Sequence, residues 1–342
     1  MRFLNKEKYT SLEIGILIFF LLNSFTSTIT IQLFKNTNTI SVILTILLAF
    51  VLGLIFMKII VKLFSDDYLK NLSNIKILNN IIKILLLIGS LGISIYVLLN
   101  LSLIIKNVLL TNMSIQVIQL TFLILSTLLA IKGIKSITIA ANIMFIVYFI
   151  FLIINFSFNL LNVNPINLLP INTSIENVNF FQVFLLTVAP VFMILIIPKK
   201  EIIDFNNCKK KSYIFFVLFY IYLIIKIFFI ISILGDKYYS IVAYPEIEIL
   251  KIINIFNFFE RLEEILIINI FIENLIVLSL ALNYSKEIIK TSFNIDNKIY
   301  ILIDIIVFFF VIKFDTIVNF YFYIILIIFI LTNILTYKKN KS

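Results

Sequence analysis

The residues of this chain that could do chemistry are few, and they gather in one stretch. Tyr244 to Asn274 reads YPEIEILKIINIFNFFERLEEILIINIFIEN and places Glu260, Arg261, Glu263, Glu264 and Glu273 at the start of and inside an apolar run. Ionisable groups at membrane depth are costly and usually functional. If a helix spans 256 to 282, Glu260 stands three and four residues before Glu263 and Glu264, and Arg261 stands three before Glu264. Three acids and one base then share neighbouring faces, and one positive charge cannot neutralise them all. Relief must come from Lys226 or Lys251, from a shared proton, or from a basic group on a partner. The alternative is that Glu260 to Glu264 form the solvated polar end of a helix that begins at the interface, where the N-terminal dipole favours acids.

Other chemistries lack their residues. The chain has no histidine, which removes the commonest general base, proton shuttle and metal ligand. Its single cysteine, Cys208, cannot form an internal disulfide and lies in a basic loop, so a redox or zinc role has little support. A membrane-embedded acyl or glycosyl transferase would need a cluster of bases, acids or metal ligands at one interface, and no Asp-rich loop supplies it. The expectation is therefore a protein that is not an enzyme and uses no metal or organic cofactor.

The elements that must position the charged stretch are membrane helices. With 62% hydrophobic and 13% charged residues in 342, and a mean hydropathy of +1.13, the chain has far more apolar surface than a soluble globule of this size can bury. Spans of about twenty residues cross a hydrocarbon core of ~30 Å. On that basis ten are predicted, near 12–34, 40–64, 80–105, 114–131, 136–161, 180–198, 212–234, 257–283, 298–313 and 317–337. The first is preceded by Arg2, Lys6 and Lys8, is too long for a secretory signal, and opens with Thr10-x-x-Glu13, a capping box. With the N-terminus inside, alternate segments hold 21 of the 28 Lys and Arg residues on the inner side and five on the outer side. That asymmetry predicts an even number of spans with both termini cytoplasmic, and it makes the net charge of +10 a topology signal with no bearing on nucleic acid.

Ten spans divide into two halves of five, and an odd number per half forces the second to be inverted relative to the first. Proteins built this way place their site where the first helix of each half is broken. In the first span the apolar run is interrupted by Asn23-Ser24-Phe25-Thr26-Ser27-Thr28, five polar side chains in six residues. In the sixth, Thr187-Val188-Ala189-Pro190 puts a proline at mid-span, where it removes one backbone bond and releases a carbonyl. Asn23, Ser24, Thr26, Thr187 and Ala189 are expected to line one midplane cavity near Pro190. The plain alternatives are Ser/Thr packing between helices at the first position and a simple kink at the second. Lys226, near the centre of the seventh span, should pair with a carboxylate, with Glu273 or the Glu260 to Glu264 cluster as candidates. The pair could equally do no more than fix helix register. Asp304 and Asp315 in and after the ninth span can meet interfacial water.

The charged stretch also carries a likeness. Tyr244-Pro245, Leu250-Lys251-Ile252 and Phe258-Phe259-Glu260-Arg261-Leu262-Glu263 resemble the pattern that introduces the eighth membrane helix of the endospore germination permeases of the GerAB type. The long connection from Asn162 to Asn179, with Asn164-Pro165 and Leu169-Pro170, resembles the segment before their sixth helix. The resemblance implies an all-α integral membrane fold of the amino acid-polyamine-organocation superfamily, a five-plus-five inverted repeat. It would form a single transporter-like domain over 8–338 with halves 8–161 and 178–338. It further implies a spore inner-membrane protein that senses nutrient germinants such as amino acids. Its partners would be an A-type, ion-channel-like membrane subunit and a C-type lipoprotein subunit. One departure is that no glycine lies between Gly15 and Gly53, where superfamily members usually let backbone amides reach a substrate carboxylate. Rival readings are a secondary amino acid transporter with proton or sodium coupling, and a purely structural membrane scaffold.

Overall fold

The computed structural model describes residues 8–26, 28–30, 39–66, 68–69, 76–168, 180–239, 241–252, 263–293, 299–313 and 318–335. Among them there is no strand, only an isolated bridge between Tyr9 and Ile202. In lipid every backbone polar group must be satisfied within the segment, and helices do this for runs dominated by Ile, Leu and Phe.

The first helix, α1 (Ser11–Asn23), opens with the expected capping box. The Thr10 amide donates to Glu13 Oε2 at 2.8 Å and the Glu13 amide donates to Thr10 Oγ1 at 3.2 Å. The Glu13 carboxylate also pairs with Lys135 at 3.0 Å, which ties the start of α1 to the fifth helix. Then follow α2 (Thr39–Leu63), α3 (Lys76–Val108), α4 (Ile115–Ile131) and α5 (Ile134–Leu161). The α4–α5 turn is tight enough to need Gly133 at φ 90°, a conformation that side-chain-bearing residues rarely adopt. Beyond a short 3-10 turn at Pro165–Leu168, α6 (Phe180–Val188) runs straight into a 3-10 segment, Pro190–Ile196. Helix α7 (Phe205–Leu234) is capped by Asp204, and two short helices, α8 (Asp236–Tyr239) and α9 (Pro245–Ile252), lead to α10 (Glu263–Phe293). Helices α11 (Ile299–Lys313) and α12 (Val318–Leu335) complete the described chain.

Five of these, α2, α3, α5, α7 and α10, contain stretches long and apolar enough to cross a membrane by length and composition. Shorter apolar helices occur at Ser11–Asn23, Ile115–Ile131, Phe180–Ile196, Leu302–Val311 and Tyr323–Asn333. Several helices outrun the expected spans: α7 starts at Phe205 instead of 212, and α10 continues to Phe293 instead of 283. Hydropathy registers only the apolar part of a helix, while the backbone ladder continues into the Lys209 to Lys211 and Lys286 to Lys290 turns.

Burial is uneven. In α10, 72% of the most apolar window is buried inside the protein, against 22% for α5, whose Ile143, Ile146, Phe149 and Ile150 face outward. Because lipid is as apolar as leucine, helices here associate by close packing, which small residues permit. Gly15 on α1 and Gly53 on α2 lie against Phe215 and Phe216 of α7 so closely that a Cβ would collide with either ring. Gly89 and Gly92 on α3 admit Phe329 and Ile325 of α12 in the same way.

Candidate functional site

Helix α1 ends at Asn23, well before the end of its predicted span, followed by a turn at Ser24 and Phe25 and further helical backbone at Thr26 and 28–30. Local hydroxyls reinforce this end: Ser24 Oγ donates to the Leu21 carbonyl at 3.1 Å and Thr26 Oγ1 to the Asn23 carbonyl at 2.8 Å. The Asn23 side chain is fully buried, and its amide donates to the Tyr148 hydroxyl on α5 and to Glu273 Oε2 on α10. Three helices therefore meet on one amide. A step further on, Asn100 on α3 donates to Thr28 Oγ1 at 3.0 Å.

The sixth helix is interrupted differently. Pro190 has no N–H to continue the ladder, and the backbone tightens into the 3-10 segment that packs against α1. The Ala189 amide still reaches the Leu185 carbonyl at 3.0 Å. The Thr187 hydroxyl lies 3.0 Å from the carbonyls of both Val183 and Phe184 in its own helix, and 3.3 Å from the Tyr220 hydroxyl on α7. Thr187, Ala189 and Pro190 are all buried.

Beside the first break lies a polar cavity of ≈ 40 Å³ enclosed by α5, α7, α9 and α10. Tyr148, Asn155 and Asn159 come from α5 at spacings of seven and four, and Leu266, Asn269 and Glu273 from α10 at three and four, so each set lies on one helical face. Helix α7 adds Tyr222 and Lys226, and the short helix α9 folds Glu246 inward. Lys226 Nζ forms an ion pair with Glu246, with side-chain exposures of 9% and 2%, and lies 5.7 Å from the centre of the Tyr222 ring. Glu273 Oε1 and the side-chain oxygens of Asn155, Asn159 and Asn269 are buried without a hydrogen-bond partner. None of the six break residues walls this cavity, but Asn23 reaches it through Tyr148 and Glu273. A more open space of ≈ 330 Å³ lies at the end of the bundle that carries Lys200, among Tyr9, Asp66, Tyr68, Glu201 and Glu287.

The charged stretch requires one correction. Lys226 pairs with Glu246, whereas Glu273 and the Glu260 to Glu264 cluster were the expected partners. The reason is geometric: α9 turns back against α7 and brings its first turn to the lysine, a fold-back that spacing along one helix does not reveal. Glu273 lies in the same cavity but is held by Asn23. Glu263 and Glu264 are half-buried first residues of α10, while Glu260, Arg261 and Asp315 lie outside the described residues. The Thr127 hydroxyl lies 2.9 Å from both Asp304 oxygens and 2.7 Å from the Leu123 carbonyl, with one proton to share among them.

The sequence reading missed Glu246, Tyr148, Asn155, Asn159 and Asn269. The amides had a visible signal: Asn155 and Asn159 are four apart in an apolar run, and Asn269 is four before Glu273. Among the described residues no group of three or more His, Cys, Asp or Glu is arranged to hold a metal ion.

No curated protein matches the chain. The family model described as spore germination protein, Spore_permease, matches residues 8–321. That match spans α1 through the beginning of α12 and so takes in the helix breaks, the cavity and the charged stretch. The chain is an integral membrane protein that belongs to the spore germination permease family.

Proposed function

We propose that this protein is the permease-like subunit of a spore germinant receptor. It senses a small nutrient, such as an amino acid, through a site beside its first and sixth helix breaks. The observation that carries the reading is Asn23: a fully buried amide at a helix end inside a membrane protein, joined to one residue on α5 and one on α10. Irregular backbone at membrane depth is tolerable only where protein or water satisfies it, and such places are where transporters of this kind bind their substrates.

In this reading the ten apolar helices form a five-plus-five inverted repeat in a single domain, with both termini and the Lys199 to Lys211 loop cytoplasmic. Ser24, Thr26, Thr187, Ala189 and Pro190 border the ligand's path, and a nutrient with higher affinity for one of two bundle arrangements shifts the population toward it. An A-type membrane subunit and a C-type lipoprotein subunit read that shift in the spore inner membrane. The cavity of ≈ 40 Å³ is too small for a whole amino acid, so in this reading it takes at most one polar group of the ligand. The family is not an enzyme class, and no catalytic step is part of the reading.

The experiment is deletion of the gene followed by exposure of spores to one nutrient at a time, with complementation by wild type and by Asn23→Leu. Loss of the response to one nutrient class, restored by wild type and not by Asn23→Leu at matched expression, is expected. Unchanged germination on every nutrient overturns the proposal. Labelling of introduced cysteines by an impermeant reagent at Asn172 but not at Asn206 is expected from the orientation, and the opposite pattern overturns it.

A second reading, secondary transport with proton coupling, is favoured by one observation: the cavity buries two acids, Glu246 and Glu273, around one base, Lys226. Uptake of labelled amino acid into proteoliposomes by this chain alone would select it.

A further inference from the structure

We propose that the cavity between α5, α7, α9 and α10 is a binding site for a monovalent cation of ammonium size. Its ligands are Glu273 and the side-chain oxygens of Asn155, Asn159 and Asn269. Two sources share that chemistry: the primary ammonium head of a nutrient and a free inorganic cation. What the cation does in germination rests on the receptor reading; its binding does not.

Four residues around this cavity each carry a buried oxygen without a hydrogen-bond partner. Asn155, Asn159, Asn269 and Glu273 have relative exposures of 6%, 7%, 7% and 2%, and an oxygen of each is unpartnered while the residue lines the cavity. Buried polar atoms are almost always hydrogen-bonded, so four unpartnered oxygens on residues around one space favour a donor or a cation there. Charge points the same way. Lys226 is paired with Glu246 and also acts on Glu273 through space, but one lysine neutralises only one of these two buried acids, and the hydrogen-bond donor to the Glu273 carboxylate is the neutral Asn23 amide. An ion in a membrane interior needs a counter-charge, and a monovalent cation supplies one.

Size and shape agree. A water needs roughly 10–15 Å³ of such space, so ≈ 40 Å³ accommodates an ammonium or methylammonium group but no whole amino acid. The rings of Tyr148, Tyr222 and Phe156 also face the cavity, and aromatic faces attract cations. An anion would meet the unpartnered oxygens and find the one lysine already taken. A stripe along α10 leads inward: Glu263, whose Oε2 is buried and unpartnered, then Leu266, Asn269 and Glu273 at helical spacing.

The site also has a built-in reporter. Glu273 lines the cavity, has an unpartnered Oε1 and accepts from Asn23 with Oε2, so whatever binds the first oxygen acts on the carboxylate that fixes the end of α1. Cation occupancy and the first helix break are thus joined through a single side chain.

The test uses the full-length protein in nanodiscs. Thermal unfolding is followed in ammonium, methylammonium, sodium and potassium chloride, each against choline chloride at equal ionic strength. A saturable rise in midpoint is expected for at least one small cation and not for choline. Glu273→Gln should abolish the rise, and Asn155→Leu with Asn269→Leu should raise the half-saturating concentration at least tenfold. Saturation by ammonium and methylammonium alone assigns the site to a nutrient's head; saturation by sodium or potassium alone assigns it to a free ion. Absence of any saturable effect in the wild type overturns the site regardless of how the variants fold, and so does an effect that both variants retain unchanged. If the wild type shows no cation effect while Asn23→Leu still abolishes one nutrient response in spores, the cation site falls and the receptor reading stands. If cations bind but gene deletion leaves every response intact, the receptor reading falls and the site stands.

Discussion

The two helix breaks look equivalent in the sequence, yet they are satisfied in different ways. At the first, the polar side chain of Asn23 leaves its own helix and holds Tyr148 and Glu273 on two others. At the sixth, the Thr187 hydroxyl lies against two carbonyls of its own turn and has one tyrosine within reach. A break whose polar groups are shared among helices couples their positions, whereas a break satisfied locally behaves as a hinge. Under the receptor reading proposed above, the first break is where a ligand's presence would be registered, and the sixth is where the chain would bend in answer.

The largest effect should come from the ion pair at the far side of the first break's network. Lys226→Met leaves Glu246 buried and alone, and breaking a buried pair typically costs about 3–5 kcal/mol. A fall in thermal midpoint is expected, with most of it recovered in Lys226→Met combined with Glu246→Gln. Additive losses in that double variant would detach the pair from the network.

Asn23→Leu removes a donor from a buried carboxylate, a loss of about 1.5–3 kcal/mol for a hydrogen bond to a charged group. Thr187→Val forfeits bonds to its own helix and should stay within about 1 kcal/mol. Equal destabilisation of the two variants in chemical or thermal unfolding would erase the distinction between the breaks. Pro190→Ala sharpens it from the other side. Restoring an N–H at this position should leave stability within about 1 kcal/mol and slow or blunt the nutrient response, measured as the rate of germination in spores. A response unchanged in rate would remove the hinge role.

The smallest effect is expected at the surface. Lys251 and Glu248 pair at 2.8 Å with side-chain exposures of 41% and 27%, and such pairs contribute at most about 1 kcal/mol. Arg261→Ala should reduce assembly or germination much more than Lys251→Ala at matched expression. Near-wild-type behaviour of both would show that Glu260 to Glu264 form only a wetted helix start.

Much of the architecture was legible because membrane helices obey few rules. Hydropathy located the apolar helices, Thr10 and Glu13 announced the first cap, and the polar run and the proline marked where α1 and α6 end. Side-chain pairing was less legible. The partner of Lys226 depends on how an eight-residue helix folds back, and nothing in the local pattern of Pro245–Ile252 encodes that. The asparagines of α5 and α10 could have been found by helical spacing, but neutral amides attract less notice than charges in an apolar run. The difference between the breaks was illegible for another reason: a serine, threonine or asparagine can bond its own turn or a neighbour, and only tertiary packing decides which.

One small feature bears on how many states the bundle has. The Tyr9 amide donates to the Glu201 carbonyl at 2.7 Å, and the Ile203 amide to the Tyr9 carbonyl at 3.0 Å. These two bonds stitch the lead-in of α1 to the chain that leaves the broken sixth helix. Were the two broken helices free to tilt separately, their near ends would have four combinations of position. The stitch disfavours the mixed combinations, because either helix moving alone would have to break it, at about 0.5–1.5 kcal/mol for each bond. Under the receptor reading, the pair would then work as a single lever, and a stimulus that moves one arm would favour movement of the other.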